Sequence, residues 1–580
     1  MAQLLWEFPP AREVGRLALI LAAVLVCVNF LATVAWRKAL RDTNAAKRHR
    51  ILQRLGIYRA AREPMFVGFL HPFCNAGGGG ERVLYEAISL HQRTDPHVIC
   101  VVYTGDLDPL PGGVTKTEML RMCKDRFGID LDETRIAFLP LRNRRMVEEH
   151  YWSRFTLLGQ AYGGNRIALE ALSQVVPDVF IDTMGYAFAL PVVKQYSQSI
   201  RTGAYIHYPT VSTDMLARVR RREAGHTNAA WVAASWPLSA AKLVYYWLFA
   251  AAYGAALRNA DAIAVNGTWT RNHIAQLLPR RVPRPWAMPP LPPVNVVYPP
   301  CDTRRLAELA LESRAPRLML SLAQFRPEKE HATQLHIVRA MLTRFPALRS
   351  SRGGVPPLKL CMIGGCRNAG DEARVAALRA LADELGIAAH TEFLVNAPYA
   401  TVLQKLGVAS VGLSTMVDEH FGINVVEFMA AGLLTLSHAS AGPLLDIAVP
   451  VGGEATGLHA SSVEDFATRA HDLLTMSPDA ARAMRARART HVTTTLSNEA
   501  FAEAWRTKFW DVLVPAVLLR ANAQIKEMGA AEGAGGGEGV VASGGGAGVA
   551  KGEDGAVARG GDAAVAAGTA SASTLVPRVD

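Results

Sequence analysis

Two glutamates eight positions apart, Glu419 and Glu427, stand in the run TMVDEHFGINVVEFMAAG from Thr415 to Gly432. Phe421-Gly422 follows the first of them, and the glycine reads as a turn. From Ile423 onward Val425, Val426, Phe428 and Met429 fit a helix with one buried face. With Asn424 beginning that helix, Glu419 falls in the loop before it and Glu427 on its first turns. The N–H groups of a first turn have no intrahelical acceptor, so Gly422, Ile423 and Asn424 form a seat for a polar group or an anion. Taken alone, the pair also fits a capped helix with two solvated glutamates, since charged residues are mostly exposed.

Three further clusters could do chemistry. NAGGGGER, Asn75 to Arg82, follows a strand-like run and precedes a helix-like one. Gly77, Gly78, Gly79 and Gly80 would let the backbone approach a diphosphate or an acceptor closely, with a helix N-terminus behind them. No Gly-Lys-Ser/Thr follows, so this is not a P-loop, and the alternative is a plain flexible turn. AQFRPEKEH, Ala323 to His331, ends another strand-like run and aims Arg326 and Lys329 at the carboxyl end of a parallel sheet, where such sheets bind ligands. A solvated basic loop is the alternative. His207, in YIHYPTVSTDML with Asp214 nearby, also follows a strand, although a lone histidine is more often a structural hydrogen-bonder. Asp106-Leu-Asp108 and Asp130-Leu-Asp132 imitate a metal motif, but aspartate pairs in loops are common turn chemistry, and no metal site is expected. Asn266-Gly-Thr268 matches a glycosylation sequon at the end of a strand-like run, where modification is not expected.

The elements that must position these residues alternate. Short β-branched or aromatic runs begin at Phe66, His97, Arg135, Asp178, Gly203 and Asp261, with helix-length segments between most of them. That order implies parallel βαβ units. Residues 279–300 carry nine prolines among 22 positions and read as a linker without regular structure. A second alternating series begins at Arg317, Lys359, Thr391, Ser410 and Leu434. The fold class is therefore α/β, with two Rossmann-like domains. The boundaries read as 64–278 for the first, 279–302 for the linker and 303–496 for the second. An amphipathic helix over 497–522 could cross back onto the first domain, and 523–580 is a Gly/Ala-rich tail expected to be disordered.

Leu17 to Trp36 is 20 residues without a charge. As a helix it spans roughly 30 Å, one bilayer core. Six Lys and Arg residues lie between Arg37 and Arg50, which puts all that follows in the cytosol and makes 1–63 an anchor plus a basic linker. A cleaved signal peptide would need a shorter apolar core. Trp231 to Ala256 is a second apolar run, interrupted by Pro237 and Lys242. It cannot cross without parting the two halves of one cleft, so it reads as an interfacial helix, with a buried helix of the first domain as the alternative. The net charge of +11 lies partly beside the first span and suits an anionic membrane surface. Nothing interleaves aromatic and basic residues as nucleic-acid binding needs. Seven cysteines without a C-x-x-C pair read as reduced thiols.

Glu-x7-Glu followed by SHASAGP, Ser437 to Pro443, resembles the donor site of retaining GT-B glycosyltransferases. That resemblance implies that the two domains face each other across a cleft. It implies that Glu419 contacts donor sugar hydroxyls and Glu427 the nucleotide ribose. A carboxylate can accept two hydrogen bonds from a vicinal diol, which is the physical sense of both roles. It further implies that Arg326 and Lys329 neutralise the leaving diphosphate and that His207 contacts the sugar. In the commoner pattern the arginine lies five residues before the lysine, a place held here by Gln324. HPFCNAGGGGERVLYEAI, YIHYPTVSTDML, LAQFRPEKEH and DEHFGINVVEFMAAG together resemble the α-1,2-mannosyltransferases of asparagine-linked glycosylation, over about 64–510. The resemblance implies GDP-mannose as donor, no cofactor or metal, and a dolichol-diphosphate-linked oligosaccharide as acceptor for its fourth and fifth mannoses. It also implies the cytosolic face of the endoplasmic reticulum membrane, a single pass, and other mannosyltransferases of the pathway as partners. Another nucleotide sugar and acceptor, or a non-catalytic scaffold, are the alternatives.

Overall fold

The computed structural model describes residues 11–58, 63–211, 213–222, 230–278, 291–312 and 314–515. The expected tail over 523–580 and most of the proline-rich stretch lie outside the described residues, as does the side chain of Asp214.

The first half builds one sheet from β1 (Met65–Leu70), β2 (Val98–Thr104), β3 (Ile136–Pro140), β4 (Val179–Asp182), β5 (Arg201–Ile206), β6 (Ala262–Val265) and β7 (Val294–Val296), in the order 3-2-1-4-5-6-7. The second half builds another from β8 (Ala315–Leu322), β9 (Lys359–Gly364), β10 (Thr391–Val395), β11 (Ala409–Ser414), β12 (Leu434–His438) and β13 (Leu458–Ala460), in the order 10-9-8-11-12-13. Every neighbouring pair is parallel. Helices cover both faces of each sheet, so the inner strands β2, β4, β6 and β11 are buried along their whole length and read as apolar runs. Four cores result, two per sheet.

The helices used below are α1 (Ala11–Arg54), α2 (Gly79–Thr94), α3 (Lys116–Phe127), α4 (Thr156–Gln174), α5 (Ala189–Tyr196), α6 (Thr213–Arg221), α7 (Ala230–Ala234), α8 (Trp236–Leu257) and α9 (Thr268–Leu277) in the first half. In the second half α10 (Arg304–Ala307), α11 (His331–Arg344), α12 (Ala369–Glu384), α13 (Tyr399–Val408), α14 (Ile423–Ala431), α15 (Val463–Thr475), α16 (Pro478–Thr495) and α17 (Asn498–Ala504) follow.

Several elements depart from the sequence-based expectation. Val294–Val296, inside the stretch read as irregular, is the edge strand β7 on β6. Proline is tolerated at a strand's start and at a sheet edge, and Pro293 precedes this one. The basic segment read as a linker is the second half of α1. Leu40, Ile51 and Leu55 are buried in the first core, Asn44 exchanges two hydrogen bonds with the Val176 backbone, and Arg48 pairs with Asp178 at 2.9 Å. Upstream on the same helix Ile20, Leu21, Val24, Val28, Phe30 and Leu31 are all exposed. Pro237 does not break the second apolar run. It stands in the first turn of α8, where its missing N–H is harmless.

Two features tie the halves together. After α16 the chain returns to the first sheet, where α17 and the turns that continue it bury Phe501, Trp505, Phe509 and Leu513 in the first half's core. Gly203 on β5 makes room for this, since a Cβ there would lie 2.7 Å from the Phe509 ring. Asp446 of the second half accepts from the Thr268 N–H at the start of α9 (2.9 Å) and from the Tyr298 hydroxyl (3.0 Å).

Candidate active site

In a parallel sheet the ligand crevice lies at the carboxyl ends of the strands, where the order reverses. The reversals here fall between β1 and β4 and between β8 and β11. The four loops leaving those strands are the glycine loop with α2, the turn after Asp182, the AQFRPEKEH loop, and the loop carrying Glu419. Three of them, with the β5 loop that carries His207, meet in a cleft of about 330 Å³ lined by Gly79, Gly80, His207, Lys329, Glu419 and Gly422–Asn424.

Lys329 Nζ stands 2.5 Å from Glu419 Oε2 and 3.2 Å from Met416 Sδ. Thr415 holds the lysine loop by donating towards Lys329 and Glu330 carbonyls while accepting from Gln334 at 3.0 Å. Glu419 is fixed from behind. Its carbonyl accepts the Gly442 N–H at 2.9 Å, and a Cβ on Gly442 would run into the Phe421 backbone. The SHASAGP stretch is therefore a prop for the glutamate loop, with the Ser440 hydroxyl accepting the Asp418 N–H at 2.8 Å. Gly422 takes φ of 108° and caps α14. That conformation belongs to glycine, and it leaves the Ile423 and Asn424 N–H groups facing the cleft without an intrahelical acceptor. Across the gap a Cβ on Gly79 would lie 3.0 Å from the Ile423 side chain, so two helix N-termini converge on one space.

Glu427, on α14 one turn beyond Ile423, is not among the residues that line this cleft. It makes no hydrogen bond with a described residue, and burial pushes its carboxyl up to about 7, against the pull of the Arg82 guanidinium. His207 is held neutral: burial lowers its pKa to about 4, and Nε2 is enclosed with no partner among the described residues. It rests against Gly80, where a Cβ would stand 3.3 Å from Nε2. Tyr208 packs on His420 of the second half at 4.2 Å between ring centres, closing one side.

The glycine loop corrects an expectation. The N–H groups of Ala76, Gly77 and Gly78 all donate to the Glu81 carboxylate, at 2.6 Å from Ala76 and 2.9 Å from Gly78. Gly77 and Gly78 thus shape the loop and do not offer those N–H groups to an anion, which leaves Gly79 and Gly80 at the cleft. Glu81, three residues after the cap, carries the capping-box signal that could have revealed this. Arg326 also departs. It does not line the cleft; its Nη1 stands 3.8 Å from Glu328, and burial and the Arg367 charge lower its pKa. The proline after Arg326 turns the chain so that only Lys329 reaches Glu419.

The other motifs resolve as turn chemistry. Asp106 accepts from the Cys74 and Asn75 N–H groups and pairs with Arg144. Asp130 pairs with Lys124, and Asp132 caps the following turn. Among the described residues no group of three or more His, Cys, Asp and Glu side chains could hold a metal ion. Asn266 is buried, accepts from Thr270 at 2.6 Å and lines the cleft. Arg82, Tyr298 and Asp446 went unnoticed in the sequence. Arg82 ends the NAGGGGER stretch, whereas nothing in the spacing marks Asp446.

Two doubly wound parallel sheets meeting over a cleft that gathers a lysine–glutamate pair and two helix N-termini define a GT-B glycosyltransferase. The α,α-trehalose 6-phosphate synthase of Burkholderia multivorans shares the fold, with a TM-score of 0.55 and 12% identity over 80% of this chain and 100% of that one. Residues 64–278 match the family described as ALG11 mannosyltransferase N-terminus, and 309–491 match glycosyl transferases group 1. The human GDP-Man:Man(3)GlcNAc(2)-PP-Dol alpha-1,2-mannosyltransferase is 42% identical over 434 residues, 74% of this chain and 84% of the relative. Its counterpart in Neurospora crassa is 41% identical over 449 residues, 76% and 78%. The chain belongs to this family of α-1,2-mannosyltransferases.

Proposed function

We propose that the protein transfers mannose from GDP-mannose, in α-1,2 linkage and with retention, to a dolichol-diphosphate-linked Man3–4GlcNAc2 oligosaccharide on the cytosolic face of the endoplasmic reticulum. The observation that carries this reading is the Lys329–Glu419 pair set between the N-termini of α2 and α14. As the bond from the anomeric carbon to phosphate breaks, negative charge grows on the leaving diphosphate. Lys329 and the N–H groups of Gly79, Gly80, Ile423 and Asn424 meet that charge without reorganising, which is usually the largest catalytic term. Glu419 holds Lys329 in place and accepts from hydroxyls of the transferred sugar. Glu427 accepts from the ribose diol. His207, neutral, accepts from a sugar hydroxyl at Nε2. Arg326 has no role in this reading. The acceptor hydroxyl attacks from the face the phosphate leaves, and its proton passes to that phosphate.

The membrane reading rests on two helices. α1 exposes an apolar stretch before its basic half docks on the first domain. α8 is long and apolar enough to span by composition, yet buries Tyr246, Phe249, Tyr253 and Leu257 against the first half while exposing Trp236, Val244, Trp247 and Leu248. A helix so divided suits the headgroup plane. α1 is then the single pass, with both sheets in the cytosol. Incubating the purified protein with GDP-[14C]mannose and a lipid-linked trimannosyl acceptor tests the assignment. Label is expected in the lipid fraction and should yield to α-1,2-mannosidase; its absence overturns the reading.

A further inference from the structure

A second chamber of about 440 Å³ adjoins the donor cleft, within the size range of ligand sites. The two share only Gly80, His207 and Tyr208, so the chamber opens into the cleft at the imidazole. One wall is a single face of α4: Leu157, Gln160, Ala161 and Gly164, spaced at three and four residues. The opposite wall is aromatic, with Tyr186 and Phe188 after β4 and Phe249 of α8. Gln160 spends its amide on the Val147 carbonyl at 3.0 Å, which leaves Oε1 as an acceptor. Aromatic faces with a few placed hydrogen-bonding groups are the chemistry that grips a sugar: rings cover its C–H faces and polar atoms take its hydroxyls.

The glycines of α4 carry the argument further. A glycine inside a helix costs roughly 0.5–1 kcal/mol against alanine, so each needs a reason. Gly159 and Gly163 have one, because a Cβ would run into the Trp152 ring and the Met146 carbonyl respectively. Gly164 has no such reason. A Cβ there would lie 3.8 Å from the Cβ atoms of Tyr186 and Phe188, an ordinary contact. What the missing side chain preserves is space in the chamber. Beside the lining residues of α4 and α8 runs an exposed apolar patch, the rim. Phe155, Leu158 and Tyr162 of the α4 region are exposed, as is Trp247 of α8, and Phe155 meets Tyr245 edge-on at 5.8 Å between ring centres.

We propose that this chamber is the acceptor subsite, that it takes the non-reducing mannose arm of a lipid-linked oligosaccharide, and that Gly164 keeps it open. The arm's terminal hydroxyl reaches the donor at the His207 junction, and the aromatic rim lies against the lipid surface that carries the acceptor. This rests on the mannosyltransferase reading above.

Gly164→Leu fills the chamber. It should raise the KM for the lipid-linked acceptor at least tenfold while GDP affinity, read by calorimetry, stays within twofold of wild type. Gly164→Ala should give a smaller rise in the same direction and guards against a misfolded leucine variant. Phe155→Ser with Trp247→Ser should weaken transfer to an acceptor in vesicles several-fold and leave transfer to a short-chain, detergent-soluble acceptor unchanged. Wild-type acceptor KM in both Gly164 variants overturns the subsite. Equal losses on vesicle and soluble acceptors overturn the rim. No transfer by the wild-type chain would instead refute the functional reading itself.

Discussion

Glu427→Gln separates the two demands placed on the cleft. Burial holds the Glu427 carboxyl at about 7, against an ordinary value of 4.5, with Arg82 offsetting part of the rise. Between those values the folded protein keeps a proton that the unfolded chain has lost, so stability falls as pH rises from about 4.5 to about 7 and is flat beyond. The rise bounds the penalty for ionising Glu427 in the folded protein at about 3 kcal/mol. The glutamine carries no such penalty. Its thermal midpoint should match wild type near pH 4.5 and exceed it at pH 8. Donor affinity should move the other way. A carboxylate accepts both ribose hydroxyls, whereas the carboxamide oxygen serves one well, and the lost hydrogen bond to a charged group is worth roughly 1–3 kcal/mol, or 5- to 150-fold in Kd. Wild-type affinity for GDP-mannose should also fall about tenfold for each pH unit below 7, because the ionised form binds. The glutamine variant should bind with no pH dependence from 5.5 to 8. Calorimetry across that range, with matched thermal melts, is the assay. Parallel pH profiles for GDP binding by both proteins would refute the ribose assignment, whatever their absolute affinities.

Lys329→Ala removes the cation that meets the leaving diphosphate and should lower kcat by roughly 10²–10³ with a smaller effect on acceptor KM; a kcat within fivefold of wild type would remove it from catalysis. Asp446→Ala deletes the cap on α9 and the partner of the Tyr298 hydroxyl, so the protein should lose about 1–2 kcal/mol in urea melts, and an unchanged midpoint would show that the contact between the halves contributes little. EDTA is expected to leave mannosyl transfer intact; loss restored by Mn²⁺ would overturn the metal-independent reading. A cysteine at Gly370, in the first turn of α12, should label from the cytosolic side of sealed microsomes, and labelling from the lumen alone would refute a non-crossing α8.

Much of this architecture was legible because its signals are local. A strand buried on both faces reads as an apolar run, and Glu-x7-Glu with Gly422 between specifies a loop, a left-handed cap and a helix start within one short stretch. β7 escaped because three residues among prolines carry no period, and only pairing with β6 makes them a strand. The docking of the basic half of α1 escaped as well, since charge density marks a soluble face but says nothing of what Asn44 and Arg48 find at Val176 and Asp178, just before the central strand β4.

The chain's own order of residues determined which loops carry chemistry, because strand, turn and helix N-terminus are set by neighbours in sequence. Which members of those loops meet was decided by tertiary structure. Lys329 reaches Glu419 across 90 residues while Arg326, three positions earlier, turns to Glu328. Glu81 claims the N–H groups of Gly77 and Gly78 because the helix that follows folds its carboxylate back over them. Gly164 looks no different in sequence from Gly163 beside it. Only the packed surroundings show that a Cβ on Gly163 would strike the Met146 carbonyl whereas one on Gly164 would meet nothing closer than an ordinary contact.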